Sequence, residues 1–384
     1  MNDKVKPARE SAASTWRETM SSGIYHSGVL AALRGAARRW ELRPANGNFR
    51  WPRTAGPRFA ILCYHRVGVD GVPLYSKLPP QVFDAQMKYL RQYYRVLSLA
   101  DLLREVESPT SSAPTVAVTF DDGYRGVFEH AFPILCKYEI PATIFAIAES
   151  IETGCAPWYD RIFLALSLHP TRTLTVELNA PNEFSLESSE DRLAATDAIV
   201  RWLRTQPDWR RREFCSNLAK CFPVPEEQLE KRMLTWEQLR TMQARGVVCG
   251  SHTLSHPVLS QVDRESLLRE LRDSRVVLEQ QLGRPVTDFA FPFGKPGDCT
   301  GITGDDLASS GYRSAVTTIS GTNRPGTNSY NLRRVSVGEQ SHLALFAYRL
   351  NNLFLQAEEP SIVPPTLEAS RTPPAIAVSE RRGE

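Results

Sequence analysis

Nowhere in the 384 residues do 18 apolar side chains follow one another, so no conventional membrane-spanning helix is expected. Charge of one sign is also lacking. The 46 Lys and Arg against 43 Asp and Glu leave a formal +3, too little for the basic footprint of a nucleic-acid binder, and no nucleic-acid partner is expected. Cysteine is sparse: seven residues, an odd number, widely scattered and without two closely spaced pairs. That pattern argues against a disulfide scaffold and for reduced thiols. The first residues (MNDKVKPARESAAS) lack the apolar core of a secretory signal, and a cytoplasmic location is the expectation. With 42% hydrophobic and 23% charged residues, the composition excludes wholesale disorder and fibrous character.

The small net charge conceals an asymmetry. Residues 1–60 carry eleven Lys or Arg against four Asp or Glu, a basic arm on a slightly acidic body. Within it, Ile24, Val29, Leu30, Leu33, Ala37 and Trp40 recur at roughly helical spacing. They suggest a helix packed on the body, or a basic amphipathic segment touching the inner membrane surface or a protein partner. Its glycines and serines weaken both readings. Five prolines follow residue 357. The expected organisation is an arm (1–57), a body (58–345) interrupted by a mostly helical insertion (155–233), and a C-terminal helix end with a Pro-rich tail (346–384).

The body alternates strand and helix. RFAILCYHRV (58–67) is apolar on both faces, as suits a parallel sheet covered by helices. TVAVTFDDG (115–123), VFEHAFPILCKY (127–138) and PATIFAI (141–147) then form a strand, helix, strand unit. After the insertion, Thr235 and Gln238 make a capping box with Leu234 and Leu239 as its staple. GVVCGSH (246–252), a helix over 261–282 stopped by Gly283, VTDFAFPFG (286–294), YRSAVTT (312–318) and LRRVSV (332–337) complete the series.

Three clusters fall at the C-terminal ends of expected strands, where parallel α/β folds bind ligands: Asp121 with Asp122, His252 with His256, and the turn at Phe293. Two adjacent carboxylates repel unless something positive separates their roles. A divalent metal does so, taking one as ligand and leaving the other as a base. Two imidazoles and one carboxylate form a facial set with open positions for water and substrate, the arrangement of a hydrolytic metal site. Alone, either motif is more often a cap, a solvated turn or a coincidence; at two strand ends together they point to a metal centre. His65, in CYHRV, reads equally as a core or capping histidine.

These motifs resemble those of the NodB-type polysaccharide deacetylases, carbohydrate esterases that remove N-acetyl groups from amino sugars. TFDDG (119–123) is similar to the first motif, SHTLSHP (251–257) to the second, and FAFPFG (289–294) to a variant of the third. The likeness covers roughly residues 58–153 and 233–340. It implies an α/β fold, a distorted (β/α)7 barrel with a helical insertion. It further implies Asp122, His252 and His256 as ligands of one divalent ion, usually zinc, with Asp121 as general base. Pro292 and Phe293 would shape the turn beside the site.

Two departures stand out. Ala290 occupies the place of an arginine that, in many relatives, holds the catalytic aspartate; Arg333 or Arg334 would have to replace it. The late histidine motif that supplies the general acid is missing, since only His342 follows Tyr312. In a subgroup acting on poly-N-acetylglucosamine that histidine sits on an N-terminal strand, and CYHRV resembles it, which makes His65 the acid. The implied activity is metal-dependent hydrolysis of an N-acetyl group on a sugar or glycan, with Tyr124, Trp158, Tyr159 and Phe293 as candidate sugar-stacking rings. The competing readings are a deacylase of non-sugar linear or cyclic amides and a non-catalytic carbohydrate-binding barrel.

Overall fold

A strand buried on both faces sends odd and even side chains into different cores, and this alternation organises the molecule. The computed structural model describes residues 57–68, 77–229, 232–338 and 341–355. The basic arm, with its expected helix, and the Pro-rich tail lie outside the described residues. The strands are β1 (Phe59–Tyr64), β2 (Arg95–Val96), β3 (Thr115–Phe120), β4 (Ala142–Ala146), β5 (Thr173–Glu177), β6 (Pro181–Ser185), β7 (Val247–Ser251), β8 (Asp288–Ala290), β9 (Ser314–Ser320) and β10 (Leu332–Ser336). Seven pair in parallel in the order β1-β10-β9-β8-β7-β4-β3, and β3 returns to β1 from Phe59–Thr115 to Tyr64–Phe120, closing the ring. The fold is thus a distorted (β/α)7 barrel, as the resemblance implies, with β2 appended to the start of β3.

Outward residues such as Leu62, Tyr64, Val118, Phe120 and Ile144 meet the surrounding helices in the largest apolar cluster. Inward residues Phe59, Ile61, Ala117, Phe145, Ala290, Val316 and Leu332 form a second cluster, the barrel's interior. Continuing each inward row by two residues reaches Cys63 after Ile61, Asp121 after Thr119, His252 after Gly250 and Arg334 after Leu332. The site is therefore the top layer of the interior, where apolar packing gives way to polar side chains. On the helix side, Thr235 and Gln238 make the expected capping box, and Gly283 ends helix Arg264–Leu282 in the left-handed conformation.

The insertion is less helical than its sequence suggests. Besides helices Trp158–Leu168, Ser189–Leu203 and Asp208–Cys221, it holds an antiparallel hairpin of β5 and β6. Leu174, Leu178 and Leu186 from this region pack with Ile162, Leu166, Ile199 and Leu203 in a separate apolar cluster, which the barrel residue Phe293 joins at its edge.

Among the described cysteines, Cys63, Cys249 and Cys299 are buried and Cys136 and Cys221 exposed, all of them free thiols. Gly250 is a tight point of the barrel interior. A Cβ there would lie 2.6 Å from the Phe145 ring and 2.9 Å from the Asp288 carbonyl. Gly250→Ala should lower stability by about 1–3 kcal/mol, the usual penalty for overpacking a close-packed core. Thermal or urea unfolding checks this, and an unchanged midpoint would contradict the packing described.

Candidate active site

Asp121 and Asp122 leave β3 in opposite directions. Asp121 continues the inward row and is 1% exposed; both its oxygens accept from Arg334, Nη1–Oδ1 and Nη2–Oδ2 each at 2.7 Å. Arg334 is fully buried, its Nε–H donating to the Thr317 carbonyl at 2.7 Å and its guanidinium lying 5.8 Å from the Phe145 ring centre. The β9–β10 register shifts at this point, Leu332 facing Val316 but Arg334 facing Ser320, so extra residues of β9 bulge beside the guanidinium. Of the two expected arginines, then, Arg334 meets the aspartate. Arg333, one residue along the strand and on its other face, exchanges backbone bonds with the Asn323 side chain and is not part of this pair. Ala290, in the place of the missing arginine, contributes its carbonyl instead.

Burial by itself would raise the Asp121 carboxyl, but the Arg334 guanidinium and nearby His252 outweigh it and hold it well below the usual carboxylate range. Asp121 is thus ionised at every pH at which an ordinary carboxylate is.

Asp122 turns the other way through a left-handed backbone, φ 70°. Its Oδ1 lies 3.5 Å from His252 Nε2 and 3.6 Å from His256 Nε2, and the two Nε2 atoms are 3.2 Å apart. Four tetrahedral ligands at about 2.0–2.1 Å from a zinc-sized ion stand about 3.3–3.4 Å from one another. The three separations straddle that spacing, so the donor set fits a divalent cation. His252 Nδ1 lies 2.8 Å from the Ala290 carbonyl; donating there, it presents Nε2 as the ligand atom. Burial, followed by the neighbouring His252, pushes His256 well below the ordinary histidine range and keeps it in the neutral form that coordinates metal.

The loop between the histidines is held from outside. Glu270, buried on helix Arg264–Leu282, accepts from the Leu254 and Ser255 amides at 2.9 Å each and from the Ser255 hydroxyl at 2.6 Å. Thr253 donates to the His252 carbonyl and accepts from the His256 amide. Thr253, His256, Phe293 and Asp122 are four of the five described non-glycine residues with positive φ, each in a backbone region that L residues avoid by about 1–2 kcal/mol. Concentrating this strain on one site is the mark of backbone bent to aim side chains.

The insertion supplies the wall. Trp158 is buried, donates its Nε1–H to the His256 carbonyl at 2.9 Å, and so braces the ligand loop rather than offering a face to a sugar. The Tyr159 ring lies 5.1 Å and the Phe293 ring 4.9 Å from the His256 ring, and Arg204 stacks over Phe293 at 4.3 Å. Pro292 is buried in the turn that projects Phe293. Tyr124 corrects an expectation: it is buried, its hydroxyl committed to Arg66 (2.7 Å) and Asp160 (3.1 Å), so it braces the insertion against the barrel and offers no face to a sugar. His65, just past β1, is exposed, with Nδ1 4.0 Å from the Cys63 sulfur. Glu270, Cys63 and the Arg66–Asp160 pair went unnoticed in the sequence. Glu270 alone had a signal there, a carboxylate on the apolar stripe of Leu267, Leu271 and Leu278.

Breaking a buried pair strands a charge, which typically costs about 3–5 kcal/mol. Arg334→Met and Asp121→Asn should each destabilise by that order, and the double variant by clearly less than the two together. Denaturant unfolding of the four proteins checks this, and additive losses would contradict it.

The polysaccharide deacetylase family profile matches residues 108–315, a span holding the TFDDG, SHTLSHP and FAFPFG segments. The chain is 23% identical over 290 residues to YxkH of Bacillus subtilis (strain 168), which is described by family alone, as a polysaccharide deacetylase; the match covers 75% of this chain and 74% of that protein. A shorter likeness, 33% identical over 72 residues, takes in 18% of this chain and 25% of the poly-β-1,6-N-acetyl-D-glucosamine N-deacetylase of Staphylococcus epidermidis. The solved structure of Streptococcus pyogenes deacetylase PplD in complex with acetate shares the fold, with a TM-score of 0.52 at 20% identity over 79% of this chain and 100% of that one. With the matched span covering more than half its length and carrying both aspartates and both histidines of the pocket, the chain belongs to the polysaccharide deacetylase family.

Proposed function

We propose that the protein is a metal-dependent N-deacetylase that hydrolyses the acetamide of an amino sugar within a glycan or glycan precursor, with zinc as its metal. One observation carries the reading: a carboxylate that stays ionised, Asp121, stands next to a buried Asp122–His252–His256 set spaced for a divalent cation. A purely carbohydrate-binding barrel has no use for both.

The division of labour follows from geometry. Asp122, His252 and His256 hold the cation, which when bound supplies Lewis acidity to the amide carbonyl and acidifies water. Asp121, fixed on both oxygens by Arg334, takes the proton of the attacking water. Arg334 is a positioning residue, keeping the base ionised and aimed. His65, exposed and with its Nδ1 within 4.8 Å of an Asp121 oxygen, protonates the leaving amine, which is too basic to depart as an anion. Trp158, Tyr159 and Phe293 exclude water from the His256 side, and the accessible edges of Tyr159 and Phe293 receive the sugar ring. The likeness to a poly-β-1,6-N-acetyl-D-glucosamine N-deacetylase supports β-linked N-acetylglucosamine as the sugar. The N-terminal arm, strongly basic by sequence, suits attachment to an anionic membrane surface or a protein partner, consistent with work on a glycan precursor inside the cell.

Removing a proton-transfer group typically lowers turnover by about 10²–10⁴. On an N-acetylglucosamine oligomer, His65→Ala and Asp121→Asn should lose acetate release by that order while retaining metal, and His252→Ala should lose both metal and activity. Acetate assays and elemental analysis of the folded variants decide this. Full turnover in Asp121→Asn, or undiminished metal in His252→Ala, would overturn the proposal.

A further inference from the structure

A second cluster of potential ligands adjoins the first. Cys63 Sγ, His65 Nδ1 and an Asp121 carboxylate oxygen all lie within 4.8 Å of one another. The Cys63 thiol donates to Asp121 Oδ2 at 3.4 Å, and its sulfur lies 4.0 Å from His65 Nδ1. Burial pushes this thiol well above its ordinary range, so at neutral pH it is an S–H rather than a thiolate. Arg334 takes one lone pair on each Asp121 oxygen, and the S–H occupies a second one on Oδ2.

We propose that Cys63, His65 and Asp121 form a second, inhibitory site for a thiophilic divalent cation such as Zn²⁺ or Cd²⁺. With metal–sulfur and metal–oxygen bonds of about 2.3 and 2.1 Å, an ion bridging atoms 3.4 Å apart subtends about 100°, close to tetrahedral. The Cys63–Asp121 spacing thus already suits the ion without movement of the strands. The wider separation to His65 Nδ1 closes by rotation of an exposed ring, which also provides the way in from solvent. On binding, the sulfur–hydrogen bond breaks, the proton leaves to water, and the sulfur's electron pair goes to the metal. No electrons are transferred. Thiolate and imidazole favour Zn²⁺ and Cd²⁺ over Mg²⁺ or Ca²⁺.

Inhibition rests on the preceding assignment, because the ion ties up the residues read there as base and acid. Binding itself does not depend on it. The soft ligand comes from Cys63, which shares the top inward layer of the barrel with Asp121.

The test uses the full-length zinc-loaded protein titrated with CdCl₂, followed by its ultraviolet thiolate-to-cadmium absorption, bound-metal analysis and acetate release. Cys249→Ala, which removes another buried thiol, serves as the control. Wild type and Cys249→Ala should bind one cadmium more than Cys63→Ala or Cys63→Ser, with the zinc retained. His65→Ala should weaken that equivalent at least tenfold. Activity of the wild type should fall in step with the absorption, and MgCl₂ should have no effect. Equal cadmium binding by wild type and both Cys63 variants would overturn the site. Occupancy without loss of activity would instead overturn the inhibitory role, and with it the assignment of Asp121 and His65 to proton transfer.

Discussion

The interaction on which the rest depends is the ion pair of Asp121 and Arg334, enclosed at the top of a parallel barrel. Taking either charge out of water alone is prohibitive, so the strands that carry them must be brought together at a fixed register before the pocket can exist. Asp121 immediately follows β3 and Arg334 sits in β10; both strands flank β1, one on each side. The pair therefore reaches across the point where the ring closes. It ties barrel closure to the geometry of the site, and the bulge of β9 beside Arg334 is the local accommodation.

Once Asp121 is pinned, its neighbour has one useful direction left. The left-handed turn at Asp122 sends the second carboxylate to the histidines, and Glu270 braces the loop that carries them from behind. The insertion completes the enclosure through the Trp158 bond to the His256 carbonyl and the Arg204–Asp298 pair, while the Arg66–Tyr124–Asp160 network holds the insertion to the segment that follows β1. Fold and site are thus connected at three places, one for each chemically distinct part of the pocket: base, metal ligands and outer wall.

The residues nearest one another in sequence were the most legible. TFDDG and SHTLSHP each lie at a strand end, and a two-faced apolar strand such as FAILCY announces a parallel sheet. Arg334 was not separable from Arg333, because in LRRV each face of the strand carries one arginine and one apolar residue, so alternation gives no phase. Tyr124 sits beside the aspartates and looks available for stacking; its partners Arg66 and Asp160 are remote in sequence and only the fold reveals that its hydroxyl is spent. The β5–β6 hairpin escaped notice because its second strand, PNEFS, has no apolar alternation to pair with that of TLTVE, and its flanks are strongly helical. His65 and Arg334 also lie outside the span matched by the family, so the topology of β1 and β10 is what brings them to the pocket.

The central claim is that hydrolysis of an acetamide depends on a cation held by Asp122, His252 and His256 next to an Asp121 that Arg334 keeps in its ionised form before reaction. It is tested most directly by acetate release from a β-linked N-acetylglucosamine oligomer before chelation, after chelation and after return of one equivalent of Zn²⁺. The account predicts that activity disappears with the metal and returns with that single equivalent. Undiminished acetate release by the metal-free protein would contradict it.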